Sequence, residues 1–233
     1  LLYLLFSKQK FMTLALFLAI VFGYSLITIQ RNKVWLSDQA LYQSMLRDAP
    51  NSVKGRLNLA TTLYEKGNID AAKKQVLIAS TIYKDHPTIY FILGTIAANE
   101  KKFDQAETLF LKAHTLDLLY APVYKSLGQL YFTRGEYQKA KEYLKTYIDN
   151  AYPTLMPQEI LIYAYSLAKL RQYQQSLEIL DQYPDKLINF ADNVSFLKAV
   201  NYYKLGQKDQ AKDYLNFDSK LSETQKIELI EKF

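Results

Sequence analysis

The sequence predicts an all-α fold in which about five helical hairpins stack into a solenoid. Apolar residues recur three and four positions apart along most of the chain, which is typical of helices with one buried face. Gly135 separates two such patterns, at a place where glycine can end a helix in the left-handed conformation. Gly128 and Ala140 then lie near the middle of the two helices, where small side chains let the axes approach closely. Because one hairpin cannot bury its apolar face alone, copies are expected.

The hairpin recurs at an interval close to thirty-four residues. Its register consists of Tyr124, Leu127, Gly128, Tyr137, Ala140 and Leu144. The preceding copy has Tyr90, Leu93, Gly94, Phe103, Ala106 and Phe110. The first copy has Arg56, Leu59, Ala60, Ile69, Ala72 and Val76. Later copies start from Ile160 and, with weaker agreement, Ser195. We therefore expect a repeat region over residues 51–218, with repeats near 53–86, 87–120, 121–156, 157–191 and 192–218.

This register resembles the tetratricopeptide repeat, whose motif places an aromatic residue, Leu-Gly, Tyr, Ala, Phe and Pro at fixed offsets. Pro50 fits the closing proline, and Ala79 and Ala113 fit the late alanine. The departures from the motif are Arg56, Tyr147 and Tyr183. The resemblance implies a helical solenoid that binds other proteins.

A solenoid has no central core, so each of its ends needs a capping element. Residues 34–50 show helical apolar spacing at Leu41, Tyr42 and Met45, and they predict a helix that caps the front. Residues 222–233 begin with a capping-box pattern, Ser222 with Gln225, and predict a helix that caps the rear.

Residues 11–29 are nineteen consecutive residues without a charge. As a helix they would span about 28 Å, close to the thickness of the hydrocarbon core of a bilayer. A signal peptide has a shorter apolar run and a small-residue cleavage site, which Gln30 to Lys33 do not supply. A buried soluble helix would show a polar face. The sequence therefore predicts a transmembrane helix.

The side of the membrane depends on the residues before this helix. Two basic residues lie on each side of it, so the distribution of lysine and arginine gives no orientation by itself. Residues 1–6 are apolar, and we interpret them as the end of an earlier span, with Ser7 to Lys10 as a short basic loop. Such loops stay in the cytoplasm, which would place the repeats in the periplasm or a lumen. If the chain is complete, the side stays undecided.

The junction between the membrane helix and the repeats is similar to one in transmembrane-and-tetratricopeptide-repeat protein mannosyltransferases. The resemblance rests on Arg31-Asn32-Lys33-Val34-Trp35, then Leu41-Tyr42 and Ala49-Pro50-Asn51-Ser52. It implies a parent glycosyltransferase with several spans that uses a lipid-linked sugar. The acidic catalytic residues of that family lie in early loops outside this sequence, so no catalytic role is carried over.

Composition excludes several classes of function. The chain has no cysteine, and its two histidines, His86 and His114, lie in different repeats, so no metal site, cofactor site or catalytic constellation is predicted. The net charge of +6 is mostly local, because four basic residues flank the membrane helix and the remainder carries 25 basic and 23 acidic residues. A nucleic-acid-binding surface would need a basic stripe, which is not apparent.

The first helix of each hairpin is expected to line a concave groove that receives a peptide or a partner helix. The groove-facing candidates are Leu57, Tyr64, Phe91, Thr95, Asn99, Lys125, Gln129, Phe132, Leu161, Tyr165, Lys169, Phe196 and Tyr203. Several are aromatic, as binding hot spots often are, although aromatic residues at helical spacing also pack between helices. Only Lys125 matches the carboxylate clamp of chaperone-binding repeats, so we expect a neutral, aromatic groove.

Two functional hypotheses remain. The protein is a membrane-anchored interaction scaffold without catalytic activity of its own, or it is the carboxy-terminal part of a membrane glycosyltransferase that presents protein substrate to an upstream active site.

Overall fold

A computed structural model describes residues 2–150 and 155–233 of the protein. Within these ranges the chain consists of helices and connecting turns, and no β-strand occurs. The all-α, helical-hairpin fold predicted from the sequence is confirmed. The chain divides into two compact units, Leu1–Ile92 and Leu93–Phe233.

The first unit contains one complete hairpin and the helix before it. Its helices are α1 (Leu2–Asn32), α2 (Asp38–Asp48), α3 (Val53–Glu65) and α4 (Ile69–Ile82), with a 3-10 turn over Lys33–Leu36. Ser37 caps α2, because its side chain accepts a hydrogen bond from the backbone N–H of Ala40. Helix α2 packs on α3, and α3 packs on α4. The core of this unit contains Leu59, Leu63 and Ala72.

Helix α1 is long and apolar enough to cross a membrane. Within the stretch Lys10–Leu36, a window of 18 residues reaches a mean hydropathy of 2.2, and the large apolar side chains from Phe11 to Ile29 are exposed. By length and composition alone, this is consistent with a membrane span or with a signal sequence. Trp35 follows the apolar residues and is 70% exposed.

The predicted basic loop over residues 7–10 is wrong. These residues lie inside the continuous helix α1. The physical reason is visible in the sequence, because Ser7 to Lys10 contain no glycine or proline to break a helix between two apolar segments. Leu1 lies outside the described residues.

The second unit contains the remaining hairpins. Helix α5 (Pro87–Asn99) runs into it from the first unit. The further helices are α6 (Phe103–Leu116), α7 (Ala121–Thr133), α8 (Tyr137–Asn150), α9 (Pro157–Lys169), α10 (Tyr173–Gln182), α11 (Pro184–Leu187), α12 (Ala191–Lys204), α13 (Lys208–Asp213) and α14 (Glu223–Lys232). Helix α7 pairs with α8, α9 with α10, and α12 with α13. The first helices of these hairpins also contact one another, α7 with α9 and α9 with α12.

The small residues of the register lie where helices cross. A Cβ atom added to Gly128 would lie 2.5 Å from the Cγ atom of Leu144, and one added to Gly94 would lie 2.7 Å from a ring carbon of Phe110. Ala140 is completely buried. These residues therefore permit the close approach of paired helices that the sequence predicts.

The turns inside the hairpins share one backbone conformation. Positive φ angles occur at Gly67, Lys101, Gly135, Arg171 and Gly206. Successive members of this series are 34, 34, 36 and 35 residues apart, the same intervals that separate the repeats. Each repeat thus ends its first helix with a left-handed residue, including two repeats in which that residue is not glycine.

Polar contacts connect neighbouring hairpins of the second unit. The hydroxyl of Tyr131 donates a hydrogen bond of 2.7 Å to Glu107, which also pairs with Arg134. The hydrogen bond from Tyr131 and the pairing with Arg134 hold the pKa of Glu107 below its ordinary value. Deeper in the unit, the buried amide of Asn201 donates to the hydroxyl of Ser176 at 2.8 Å.

Helix α14 closes the second unit. Its amino terminus has the predicted capping box, in which Ser222 and Gln225 bond to each other's backbone N–H groups. Ile230 is buried in a cluster with Ala199, Val200 and Phe217, which attaches α14 to α12.

Candidate peptide-binding groove

Aromatic side chains form a row across the first helices α7, α9 and α12. The rings of Phe132 and Tyr165 have centroids 6.5 Å apart and meet edge to face. The rings of Tyr165 and Phe196 are also 6.5 Å apart and are stacked. Because α7, α9 and α12 are adjacent, one residue from each helix contributes to a continuous aromatic surface.

An open cavity of about 340 Å³ lies beside this row. Its lining consists of Phe132, Gln158, Leu161, Ile162, Tyr165, Phe190 and Asn193. The wall is mostly apolar, and Gln158 and Asn193 add amide groups that can bond to a peptide backbone. Burial raises the pKa of Tyr165, while a hydrogen bond with Asn193 opposes part of this effect. The Tyr165 hydroxyl therefore stays protonated at neutral pH, as a donor or acceptor at the cavity edge.

A polar cluster lies between α7 and α9. Glu159 has no exposed surface, and its Oε1 atom accepts a hydrogen bond of 2.7 Å from the amide of Gln129. The ammonium group of Lys125 lies 3.5 Å from the same oxygen. The Oε2 atom of Glu159 has no hydrogen-bond partner. Gln129 also lines a smaller cavity of about 220 Å³, together with Thr95 and Asn99.

The far end of the row is covered by residues 231–233. The Phe233 ring has its centroid 5.9 Å from that of Tyr165 and 5.8 Å from that of Phe196. The ammonium group of Lys169 lies 3.7 Å from the centre of the Phe233 ring. It also donates a hydrogen bond of 3.0 Å to the backbone carbonyl oxygen of Phe233. The hydroxyl of Tyr203 donates to the carboxylate of Glu231 at 2.5 Å, and this bond raises the pKa of Tyr203.

The predicted groove residues fall into three groups. Those that contact one another or a shared cavity in the second unit are Thr95, Asn99, Lys125, Gln129, Phe132, Leu161, Tyr165, Lys169, Phe196 and Tyr203. Tyr64 and Phe91 are partly buried residues of the first unit. Leu57, also in the first unit, is only 2% exposed, which leaves it little surface for a ligand.

Several lining residues were missed by the sequence analysis. Gln158 and Ile162 lie on the same face of α9 as Leu161 and Tyr165, so the helical period could have identified them. Phe190 belongs to a 3-10 turn before α12, where no periodic pattern applies. Phe233 was interpreted only as part of a capping helix, and its contacts with the groove have no signal in the local sequence.

These features define a class of fold, a stack of helical hairpins with an aromatic groove across α7, α9 and α12. Sequence profiles of the tetratricopeptide repeat match residues 121–151 and 194–216. Residues 121–151 and 194–216 therefore match the tetratricopeptide repeat, as the register predicted, and neither match is to a catalytic family. Both matches lie outside the junction at Arg31 to Trp35, so the resemblance to membrane mannosyltransferases stays a prediction.

Solved structures of other proteins share the fold. YrrB, a TPR protein with an unusual peptide-binding site, aligns with a TM-score of 0.65 at 14% identity, over 82% of this chain and 98% of its own. PilF of Pseudomonas aeruginosa aligns with a TM-score of 0.61 at 20% identity, over 82% and 86%. MamA of Desulfovibrio magneticus RS-1 aligns with a TM-score of 0.58 at 15% identity, over 77% and 96%. No curated protein is significantly similar to the chain in sequence.

Proposed function

We propose that the protein is a membrane-anchored scaffold whose repeats bind a segment of a partner protein in the groove along α7, α9 and α12. The observation that carries this proposal is the open cavity of about 340 Å³ beside Phe132 and Tyr165. Aromatic side chains around a cavity are typical of interface hot spots, since they offer large rigid apolar surfaces. A partner segment would place a large apolar side chain there and bond its backbone to nearby amide groups.

The nature of the ligand is supported by the fold of a neighbour. The structure of YrrB is that of a TPR protein with a peptide-binding site. Stacked helical hairpins form extended concave surfaces, and peptide-binding domains commonly hold extended or helical segments in such grooves. We therefore expect a peptide or a helix of another protein, and no small-molecule cofactor.

Membrane anchoring is supported by α1. The large apolar side chains from Phe11 to Ile29 are exposed, and a helix of the length of α1 reaches about 46 Å, more than the thickness of the hydrocarbon core. Trp35 at its end has the amphipathic ring that is enriched at membrane interfaces. The basic residues on the two sides of the apolar run balance, so the extracytoplasmic position of the repeats stays a hypothesis for experiment.

The groove is tested with peptides selected from a random library on the full chain in detergent micelles. The double variant Phe132→Ala, Tyr165→Ala removes both aromatic walls of the cavity, so we expect the selected peptides to bind at least tenfold more weakly. Fluorescence polarisation measures the dissociation constants, and circular dichroism checks that the variant keeps its helices.

The matched control is the double variant Leu77→Ala, Tyr83→Ala. These two large side chains are 58% and 55% exposed, belong to the first unit and do not line the cavity. This control should leave the affinity unchanged. The proposal is contradicted if no peptide is selected, or if the selected peptides bind the groove variant as tightly as the unchanged protein.

The anchor and its side are tested with single cysteines, because the chain has none of its own. Lys10→Cys and Lys74→Cys introduce thiols at exposed positions on either side of the apolar run. In spheroplasts, a maleimide that cannot cross membranes should label only one of the two variants before lysis, and early labelling of the Lys74→Cys variant would support an extracytoplasmic position of the repeats. The reverse pattern would place the repeats in the cytoplasm, and rapid labelling of both variants before lysis would contradict a membrane span.

A further inference from the structure

The last turn of α14 contacts the groove in the manner of a ligand. The Phe233 ring packs against Tyr165 and Phe196 and lies under the ammonium group of Lys169. Two positions earlier, the carboxylate of Glu231 accepts the hydroxyl of Tyr203. The groove residues involved belong to α9 and α12, the same first helices that carry the aromatic row.

The most deeply buried contact of α14 is made by Ile230, and Phe233 packs against the edge of the same cluster. Ile230 is 1% exposed and packs with Ala199, Val200 and Phe217. Glu231 is exposed, and Phe233 lies just beyond the end of the helix. The contacts of Ile230 with Ala199, Val200 and Phe217 do not include Glu231, so these contacts can persist when residues 231–233 leave the groove.

The charges around this end of the groove favour an acidic segment. Lys169 donates to the carbonyl oxygen of Phe233, and Lys204 donates to that of Glu231 at 3.1 Å. Lys208 lies 5.6 Å from the centre of the Tyr203 ring. Three lysines thus contribute positive charge at this end of the groove, where Glu231 supplies a carboxylate to Tyr203.

We propose that this end of the groove recognises partner segments in which an acidic residue precedes an aromatic residue by two positions. Glu231 and Phe233 occupy the site within the chain, and a partner segment displaces them. This inference rests on the proposed function, because it assigns a sequence preference to part of the same groove. A partner would pack its aromatic ring against Tyr165 and Phe196, as Phe233 does, and direct its carboxylate at Tyr203.

The internal segment competes with any partner at an effective concentration that is commonly in the millimolar range for short connections. The unchanged protein should therefore bind a separate segment weakly. Loss of the Phe233 ring removes the main aromatic contact of the competitor, so the site becomes accessible.

The probe is a fluorescent, amide-capped peptide with the sequence of residues 228–233, ELIEKF. In detergent micelles, we expect the full-length variant Phe233→Ala to bind it at least tenfold more tightly than the unchanged protein. A second variant, Glu231→Gln, changes only an exposed side chain, and it should also bind ELIEKF more tightly than the unchanged protein. The control peptides ELIEKA and ELIQKF should both bind Phe233→Ala at least fivefold more weakly than ELIEKF.

The inference is overturned if neither variant binds ELIEKF more tightly than the unchanged protein, or if the control peptides bind equally well. Peptides selected for the cavity beside Phe132 distinguish a failure of this inference from a failure of the proposed function. If these peptides bind normally while ELIEKF binds no variant, the sequence preference is wrong and the groove proposal stands. If the Phe132→Ala, Tyr165→Ala test fails, the proposed function itself is wrong.

Discussion

Replacing Gly128 with alanine is expected to lower the free energy of unfolding of the repeats by about 1–3 kcal/mol. An alanine in the middle of a helix normally stabilises it by about 1 kcal/mol relative to glycine. Here the added Cβ atom would lie 2.5 Å from the Cγ atom of Leu144, which is completely buried and cannot move aside without disturbing its neighbours. Urea unfolding of the full chain in micelles, followed by circular dichroism, measures the change.

The variant Leu144→Ala provides the control for this prediction. By itself it removes a buried side chain and should cost about 2–5 kcal/mol. In its presence the contact with position 128 no longer exists, so Gly128→Ala should become neutral or stabilising. An alanine at position 128 that stabilises the unchanged protein would show that α7 and α8 are not as close as described.

The second large effect is expected at Lys125. The Lys125→Met variant removes the ammonium group 3.5 Å from Glu159 and leaves a carboxylate with no exposed surface, held by Gln129 alone. An uncompensated buried charge is strongly unfavourable, so we expect a loss of about 3 kcal/mol in the free energy of unfolding. The same urea experiment measures it.

An exposed ion pair serves for comparison. Lys145 pairs with Asp149 at 2.9 Å, but the two side chains are 61% and 55% exposed. Lys145→Met should therefore cost less than about 1 kcal/mol. Adding Glu159→Gln to Lys125→Met removes the buried charge and should restore most of the lost stability. Equal losses for Lys125→Met and Lys145→Met would contradict the buried character of Glu159.

The sequence contained most of the information about the fold, because small residues and turns repeat at a constant interval. Gly94 and Gly128 could be assigned to helix crossings, since a glycine within a helix needs a reason. The left-handed turn residues Lys101 and Arg171 cannot be recognised from residue type, because neither of them is a glycine. Their distance from Gly135 in the sequence would have been sufficient.

The groove was only partly predictable. Phe132, Tyr165 and Phe196 follow from the helical period combined with the repeat interval. The burial of Glu159 does not, because it depends on Lys125 and Gln129 from another helix. The position of Phe233 depends on how α14 packs across α12, and no local pattern encodes that packing.

The pairing of neighbouring helices has a consequence for how the protein is made. In the second unit, the pairs α7 with α8, α8 with α9 and α9 with α10 join segments that are adjacent along the chain. Proteins rich in such local contacts fold quickly, since little loop-closure entropy is lost before the contacts form. During synthesis, each hairpin can therefore acquire its structure soon after it leaves the ribosome, without waiting for the carboxy terminus.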